Sequence, residues 1–378
     1  MNDPELDLPA DRDAQARYDA HLVRAEPDLP GLATVLDPGL LRAWSGLPQA
    51  RVDRLRHKPS TSLRAAVDPG DGGPWWLLAA HSPSSWRKAG KDLRAAAGAP
   101  VLVEDGLRLV LVPAACDRAL PAVRALAARA RTVAHNPARR AVLRTAGGAT
   151  VTKVHADPGT AARSLRAGRA LGAVGVRVPP ARTDGPHVVR APWRPGRAAT
   201  AGDTAAVADL AGRWAHADPT GLPDLGPADL RGAVRRAVAG TPALDEGFTD
   251  LLHRTASRWW AVAAGDPALT PAVFAHGDLS PDQLLHHDGD WTVLDVDRAC
   301  RAPRGWDLAC WEAALTATGT AGARPPATAP AVLVAAATLL RAPEPFRRRR
   351  PGWAAATRAL VQRAAVAVDV AVDAAVGA

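Results

Sequence analysis

Short apolar runs separated by turn residues dominate the first half of the chain. Runs at residues 51–55, 63–67, 75–80, 100–103 and 107–112 are separated by Pro59, by the glycine-rich segment 68–73 and by Asp105-Gly106. Short runs bounded by Gly, Pro and Asp are typical of strands joined by tight turns. The pattern returns later, with strands expected at residues 141–144, 150–155, 176–178 and 187–190. The front of the chain is therefore predicted to be rich in strands.

Longer segments with a helical spacing of apolar residues dominate the second half. Helices are expected at residues 204–217, 227–239, 244–264, 307–316, 328–341 and 353–376, the fifth starting at Thr328 just before Pro330. Shorter helices are expected in the front, at residues 11–22, 37–44, 85–97, 120–130 and 161–172. A strand-rich front and a helix-rich rear predict an α+β fold with two lobes.

Two segments of the front half resemble each other. His57-Lys58-Pro59 precedes one pair of predicted strands, and His135-Asn136-Pro137 precedes another with similar spacing. A diverged duplication of a small β-rich unit would produce this match. Two unrelated strand-turn-strand pieces would produce it as well, and the sequence leaves both readings open.

Composition indicates an ordinary globular protein. The apolar fraction is 47% and the charged fraction 22%, and no uninterrupted apolar run reaches the roughly 18 residues that a membrane-spanning helix needs. The acidic, polar N-terminus is unlike a signal peptide. Cys116, Cys300 and Cys310 are odd in number and widely spaced, which predicts reduced, buried thiols and a cytoplasmic protein.

The net charge of +9 does not by itself indicate nucleic-acid binding. Apart from Lys58, Lys88, Lys91 and Lys153, the 47 basic residues are arginines. The abundance of Ala, Gly, Pro and Arg is typical of a GC-rich genome, which raises the arginine count without a binding purpose. The only block of like charge, residues 347–350, is most simply a solvated turn. Neither nucleic acid nor a membrane is expected as a partner, although the positive charge favours an anionic nucleotide.

The segment between residues 275 and 307 carries the densest candidate chemistry. Asp278 follows one short apolar run, Asp295 and Asp297 follow another, and the dipeptide Asp288-Gly289 between them is a strong signal for a tight hairpin. A hairpin would bring Asp278 and Asp295 to the same end of the segment. Two converging carboxylates suit a divalent cation and a hydroxyl nucleophile, which predicts a phosphotransferase site.

The motifs in this segment resemble those of the aminoglycoside phosphotransferase-like kinases, a branch of the protein-kinase-like fold. The match rests on three sequences in order, His276-Gly277-Asp278-Leu279-Ser280-Pro281-Asp282-Gln283, Leu294-Asp295-Val296-Asp297 and Asp307-Leu308-Ala309. The resemblance is specific over residues 270–312 and looser over 135–270. It implies an N-terminal α+β extension at 1–112 (one candidate for a small-lobe-like unit), a kinase-like N-lobe at 113–192 and a helical C-lobe at 193–378.

The resemblance also implies roles for single residues. Asp278 would be the catalytic aspartate that orients the acceptor hydroxyl, and Asp295 would bind Mg²⁺. Gln283 stands where the family usually has an asparagine metal ligand, so an altered metal geometry is expected, and Asp297 is a further candidate metal ligand. The implied co-substrate is ATP or GTP. His276 and Asp307 are expected to hold the loop through hydrogen bonds.

On the nucleotide side the chain departs from the family. Lys153 lies on the predicted strand where the family places its phosphate-binding lysine, yet the helix at 161–172 lacks the glutamate that usually pairs with it. The glycine-rich loop is replaced by residues 135–140, in which Arg139 and Arg140 either contact phosphate or are simply exposed. Walker, Rossmann, HExxH and GxSxG motifs are absent from the sequence, which disfavours P-loop NTPases, dinucleotide-binding enzymes, zinc proteases and α/β-hydrolases.

These observations favour a nucleotide-dependent O-phosphotransferase acting on a small molecule with a hydroxyl group. The segments after Asp307 contain few acids and many arginines, so a neutral or anionic acceptor is as plausible as a cationic aminoglycoside. A catalytically weak or inactive kinase-like binding protein is the alternative, and a peptide acceptor is a third hypothesis. The sequence does not indicate the oligomeric state.

Overall fold

The computed structural model describes residues 12–71, 73–96, 98–319 and 329–376. Strands occupy mainly the front of the chain. They are β1 (Arg51–Lys58), β2 (Ser62–Asp68), β3 (Trp75–Ala80), β4 (Leu102–Glu104), β5 (Leu109–Pro113), β6 (Ala130–Asn136), β7 (Arg140–Thr145), β8 (Thr150–His155), β9 (Arg182–Thr183), β10 (Val188–Pro192), β11 (Arg197–Ala198), β12 (Val273–Ala275), β13 (Leu284–His287), β14 (Asp290–Val293) and β15 (Cys300–Ala302).

Helices occupy mainly the rear, so the predicted α+β fold with a strand-rich front lobe and a helix-rich rear lobe is confirmed. The helices are α1 (Arg12–Ala25), α2 (Leu32–Leu36), α3 (Pro38–Ser45), α4 (Pro83–Ala95), α5 (Ala122–Ala127), α6 (Pro158–Ala173), α7 (Thr204–Trp214), α8 (Pro227–Ala239), α9 (Glu246–Ala263), α10 (Trp306–Ala317), α11 (Ala331–Arg341), α12 (Glu344–Arg347) and α13 (Trp353–Val376). Of the sequence predictions, positions 11, 72, 97 and 328 lie outside the described residues.

The front of the chain contains two five-stranded antiparallel sheets with the same topology. Their strand orders are β1-β2-β3-β5-β4 and β6-β7-β8-β10-β9, and in each a helix, α4 or α6, follows the third strand. The match between the segments at His57 and His135 therefore extends to whole sheets. A shared strand order and a shared helix position favour the duplication over two unrelated pieces.

The first sheet is buried on both faces because its strands carry apolar residues at successive positions. Leu63, Ala65 and Leu77 face the main hydrophobic core, while Trp76 and Leu78, which alternate with them, pack in a second cluster beneath α4. Neighbouring side chains of a strand point to opposite faces, so an uninterrupted apolar run predicts this two-sided burial.

One predicted helix is much shorter than expected. Residues 120–130 have a high helix propensity, but only Ala122–Ala127 is helical, and Ala130 instead pairs with Thr145 at the start of β6. Pairing with a long neighbouring strand here outweighs the intrinsic preference of alanine. Likewise, residues 176–178 form no strand, and Arg177 makes only a single bridge to Thr292.

The rear helices enclose a core of large aromatic residues. Trp259, Trp311, Trp353, Phe248 and Phe346 are almost completely buried. This core is continuous with the buried face of the first sheet, so the front unit packs directly on the rear helices. We find no helix among the described residues with the length and apolar character needed to cross a membrane.

Candidate active site

The tight hairpin predicted from Asp288-Gly289 is present. Leu284 pairs with Val293 and His287 with Asp290, and both turn residues have positive φ, +48° for Asp288 and +83° for Gly289. Positive φ at both central positions defines the two-residue turn whose twist suits antiparallel strands. Strand β13 follows the segment that contains Asp278, and Asp295 lies two residues beyond the end of β14.

The loop that carries Asp278 is fixed by a buried carboxylate. Asp307, in the first turn of α10, accepts hydrogen bonds from the backbone N–H of His276 (2.7 Å), the backbone N–H of Gly277 (2.9 Å) and Trp214 Nε1 (2.9 Å). His276 Nε2 donates to the Leu294 carbonyl at 2.7 Å, which ties the loop to the strand end beside Asp295. Buried, charge-assisted contacts of this kind hold a loop in one conformation.

Gly277 is required for the shape of this loop. Its φ is +86°, and a Cβ atom at this position would lie 2.1 Å from the Arg298 carbonyl oxygen. Both the left-handed backbone and the absence of space exclude a side chain. The His-Gly-Asp order is therefore a geometric requirement here.

Asp278 is about one third exposed and lies between two arginines. Its Oδ2 is 3.3 Å from Arg298 Nη1, and its Oδ1 is 3.3 Å from Arg341 Nη2. Arg341 also donates to the Leu279 carbonyl at 3.3 Å. A carboxylate that is positioned by arginines and still open to solvent on one side is accessible to a substrate hydroxyl.

Asp295 has a left-handed backbone, with φ of +57° and ψ of +42°. Non-glycine residues rarely adopt this conformation, although aspartate tolerates it better than most, and such residues concentrate at functional sites. Burial favours the protonated form, but Lys153 and Arg140 outweigh it and hold the pKa of Asp295 well below its ordinary value. The carboxylate is therefore ionised at neutral pH.

Four of the predicted site residues form one ion-pair cluster. Arg140 Nη1 lies 2.6 Å from both Asp295 Oδ1 and Asp297 Oδ2. Lys153 Nζ lies 2.9 Å from Asp295 Oδ1 and 3.3 Å from Asp297 Oδ1. The two aspartates thus take the place of the missing helix glutamate as partners of Lys153.

Arg139 and Arg140 differ although they are neighbours. The hairpin between β6 and β7 is short, and Ala138 at its tip has a φ of +57°. Arg140, the first residue of β7, reaches Asp295 and Asp297, whereas Arg139 is at the surface. Arg139 is exposed and Arg140 is bound to the acidic residues, and phosphate contact by either side chain stays a prediction.

Gln283 carries a buried side-chain oxygen, Oε1, without a hydrogen-bond partner among the described residues. Its backbone carbonyl accepts from the Leu294 N–H at 2.8 Å, which places it beside the residue preceding Asp295. A buried, unsatisfied carbonyl oxygen is costly unless something binds it.

The oxygen atoms of Gln283, Asp295 and Asp297 fit Mg²⁺ chemically. Mg²⁺ prefers oxygen ligands and is usually held by one or two carboxylates together with substrate phosphates. No group of three or more His, Cys, Asp or Glu side chains suited to a metal occurs in the described parts of the chain.

Three basic residues that lie close to Asp278 or Asp297 were not predicted from the sequence. Arg298 follows Asp297 directly and could have been noticed there, whereas Arg341 and Arg163 gave no signal. Arg163, on α6, donates to the Asp297 carbonyl at 3.5 Å. Only folding brings Arg341 and Arg163 to the site, because they are distant from the aspartates in sequence.

Comparisons with known proteins identify similar solved structures. No protein-family model matches the chain, and no curated protein matches it. A macrolide 2'-phosphotransferase from Brachybacterium faecium is 22% identical, with coverage of 66% of this chain and 97% of that one and a TM-score of 0.36. A choline/ethanolamine kinase family protein from Mesorhizobium loti is 15% identical, with coverage of 68% and 98% and a TM-score of 0.44.

An aminoglycoside-3'-phosphotransferase of type VIII is also similar, at 23% identity, with coverage of 66% of this chain and 99% of that one and a TM-score of 0.42. Two of the three are phosphotransferases by name, and the third is a choline/ethanolamine kinase family protein. Each similarity spans about two thirds of this chain.

Proposed function

We propose that this chain is an aminoglycoside phosphotransferase-like kinase that transfers the γ-phosphate of ATP or GTP to a hydroxyl group of a small molecule. The observation that carries the proposal is the arrangement of Asp278, on a loop fixed by Asp307, close to the ion-pair cluster of Lys153, Asp295 and Asp297. Arg298 joins the two parts, since the charges of both Asp278 and Asp295 raise its pKa.

Asp278 is assigned the acceptor side of the reaction. The acceptor oxygen bonds to the γ-phosphorus while the bond from that phosphorus to the bridging oxygen breaks. The nucleoside diphosphate leaves, and the Asp278 carboxylate takes the hydroxyl proton. Arg298 and Arg341 contact the carboxylate at 3.3 Å. It is still partly exposed, so an acceptor hydroxyl can reach it.

Asp295, Asp297 and Gln283 are assigned to Mg²⁺, which when bound neutralises charge on the nucleotide phosphates. The unsatisfied Oε1 of Gln283 supports this assignment. Glutamine places its carbonyl one methylene further from the backbone than asparagine does. We therefore expect metal binding with an altered geometry.

Lys153 and Arg140 are assigned to the phosphates. Both side chains now neutralise Asp295 and Asp297. With a metal ion held by Asp295 and Asp297, the nucleotide phosphates would be the anionic partners of Lys153 and Arg140. The ammonium of Lys153 acts as a compact point charge, while the guanidinium of Arg140 can bind two oxygens at once. Arg139, the other candidate for contact with the nucleotide phosphates, is assigned instead to the phosphate-binding subsite proposed below.

The chain is proposed to consist of an extension at 1–112, a kinase-like N-lobe at 113–192 and a C-lobe at 193–378. The shared strand order of the two five-stranded sheets supports reading the extension as a second small-lobe-like unit. The strand position that corresponds to Lys153 in the first sheet is Leu78, so that unit lacks the phosphate-binding lysine. A cytoplasmic location is proposed from the buried, free Cys116, Cys300 and Cys310.

A kinase-like binding protein without turnover is the second candidate. It is favoured by Arg140 and Lys153, which both contact the carboxylates that Mg²⁺ would use. Thermal stabilisation by ATP or GTP with Mg²⁺ tests the nucleotide site that both candidates share, and the absence of any shift would contradict both.

Release of ADP or GDP over a panel of hydroxyl acceptors, with peptides included, separates the two candidates. We expect turnover with a small-molecule acceptor and its loss in Asp278→Asn. Asp282→Asn is the matched control, because Asp282 lies on the same loop and its side chain, among the described residues, accepts a hydrogen bond from Ser280 Oγ at 2.6 Å rather than contacting Arg298 or Arg341. Nucleotide binding without release on any acceptor would favour the binding protein.

A further inference from the structure

A cluster of arginines lies where the first sheet meets the second sheet and the rear helices. Its members, here called the junction cluster, are Arg54 and Arg56 on β1, Arg64 on β2, Arg139 on the β6–β7 hairpin and Arg347 on α12. Arg56 lies directly opposite Arg64 on the paired strands β1 and β2, and the charges of Arg56, Arg347 and Arg54 contribute to lowering the pKa of Arg139.

Only part of this positive charge is neutralised within the protein. Glu344 contacts Arg54 and Arg347, each at 3.1 Å, and these arginines together with Arg348 outweigh burial and lower the pKa of Glu344 to about 2. Arg56, Arg64 and Arg139 make no ion pair with any residue in the described ranges. Glu344 is therefore already paired with Arg54 and Arg347.

Burial and neighbouring positive charges lower the pKa of two members of the cluster. Desolvation and the charges of Arg56, Arg298 and Arg347 lower the pKa of Arg139 to about 10. Desolvation, Arg64 and Arg347 also lower the pKa of Arg56. Both side chains remain cationic at neutral pH, so the folded protein holds like charges together at a cost that an anion would relieve.

The cluster surrounds space for such an anion. A cavity of about 110 Å³ is lined by Arg56, Lys58, Ser62 and Arg64. Its walls offer three cationic side chains and a hydroxyl donor, and no carboxylate. Because a water molecule occupies roughly 30 Å³ in the liquid, the cavity is large enough for a phosphate group.

A second cavity, of about 290 Å³, shares Arg64 with the first and extends to Trp76 and Asp117. Asp117 is the carboxylate on its wall, and it is held by His135 Nε2 at 3.0 Å and by the Ala138 N–H at 2.7 Å. Arg64 therefore lies on the walls of both cavities, and the larger cavity is also lined by Arg118 and Ala119.

The cluster is connected to the catalytic aspartate. Arg298 contacts Asp278 directly, at 3.3 Å, and lies within electrostatic range of Arg139, whose pKa it helps to lower. The neighbouring residue on the β6–β7 hairpin, Arg140, contacts Asp295 and Asp297.

We infer that the junction cluster is a phosphate-binding subsite that holds the anionic group of a phosphorylated acceptor. The inference rests on the proposed function for the identity of the ligand as acceptor, but the binding of phosphate stands independently of it. Guanidinium groups bind phosphate oxygens in pairs, which is why arginines recur at such sites. The first sheet would then contribute specificity for the acceptor.

The test is calorimetric titration of inorganic phosphate into the full chain at constant ionic strength, with and without saturating Mg²⁺ and ADP. We expect binding in both conditions. Arg56→Gln combined with Arg64→Gln should weaken it at least tenfold. Arg182→Gln is the matched control, because Arg182 is exposed on the edge strand β9, at the opposite side of the second sheet from β6. Constant ionic strength removes general screening effects.

The inference is wrong if inorganic phosphate does not bind the wild-type chain, or if it binds the double variant as tightly as the wild type. It is also wrong if Mg²⁺ and ADP compete with phosphate, because the phosphate would then occupy the nucleotide site. If the double variant does not fold, Lys58→Gln at the exposed end of β1 gives the same test with an expected weakening. Failure of the proposed function is read separately, as the absence of nucleotide turnover on every acceptor.

Discussion

Arg140 is predicted to neutralise the carboxylates of Asp295 and Asp297 while no nucleotide is bound. Its guanidinium lies 2.6 Å from both Asp295 and Asp297, and Lys153 is the other cation on these carboxylates. In Arg140→Gln the two aspartates keep one positive partner, so their mutual repulsion and their desolvation are poorly compensated. Magnesium should then stabilise the variant much more than it stabilises the wild-type chain.

The size of the effect follows from the two contacts that are lost. A hydrogen bond to a charged group contributes about 1.5–3 kcal/mol, and partial exposure and solvent screening reduce the gain for these half-buried pairs. We therefore expect a loss of about 2 kcal/mol without Mg²⁺, which corresponds to a decrease of roughly 2–4 °C in melting temperature for a chain of this size. Mg²⁺ should restore most of this loss.

The assay is thermal unfolding of the two proteins across a magnesium titration without nucleotide. Arg144→Gln is the control, because Arg144 lies on the same strand, stacks on Trp193 at 4.0 Å and donates to the Gly148 carbonyl rather than to a carboxylate. The prediction is wrong if Arg140→Gln melts at the wild-type temperature without Mg²⁺. It is also wrong if Mg²⁺ raises the melting temperature of Arg140→Gln no more than it raises that of Arg144→Gln.

Three further outcomes follow from the same geometry. Lys153→Met should weaken ATP or GTP binding by about tenfold or more, because phosphates lose a charge-assisted partner; calorimetry on the nucleotide checks this, and unchanged affinity would remove Lys153 from the phosphate site. Gly277→Ala should lower turnover more than nucleotide affinity, since its Cβ would meet the Arg298 carbonyl and displace Asp278; steady-state kinetics that match the wild type would contradict the loop geometry. The pKa of Glu344, about 2, lies below its unfolded value, so its stabilising effect is present above about pH 4.5 and is lost as the pH falls toward 2. Unfolding measured between these pH values should depend less on pH in Glu344→Gln, and an identical pH dependence would exclude this role.

Local patterns in the sequence were sufficient to locate the acidic residues. The turn at Asp288-Gly289 needs positive φ at both positions, so the hairpin could be predicted from two residues. The carboxylates of Asp278 and Asp295 follow directly from the motifs on either side of that hairpin. These features depend on neighbours in sequence, and sequence patterns describe such neighbours well.

Contacts between distant segments could not be predicted in this way. From the sequence, the partner of Lys153 was expected on the following helix. Its partners in the structure are Asp295 and Asp297, which lie more than 140 residues further along the chain. Arg341 reaches Asp278 from α11 for the same reason. Residues 120–130 show the opposite error, because helix propensity predicted a long helix where strand pairing ends it at Ala127.

The similarity between the two five-stranded sheets could be predicted only in part. His57-Lys58-Pro59 and His135-Asn136-Pro137 match over a few residues, too few to define a fold. The order of five strands, with a helix after the third, is a property of the hydrogen-bonded sheet. α12 was missed as well, because it has only four residues and Pro345 lies within it.

The central claim is that Asp278 takes the proton of an acceptor hydroxyl while phosphate is transferred. The most direct measurement is transfer of labelled γ-phosphate into product by the wild-type chain, Asp278→Asn and the control Asp282→Asn, alongside the nucleotide affinity of each. Loss of a general base typically lowers the rate by about 10²–10⁴-fold. We predict that loss in Asp278→Asn alone, with nucleotide affinity close to that of the wild type. Equal transfer by Asp278→Asn and Asp282→Asn would contradict the account.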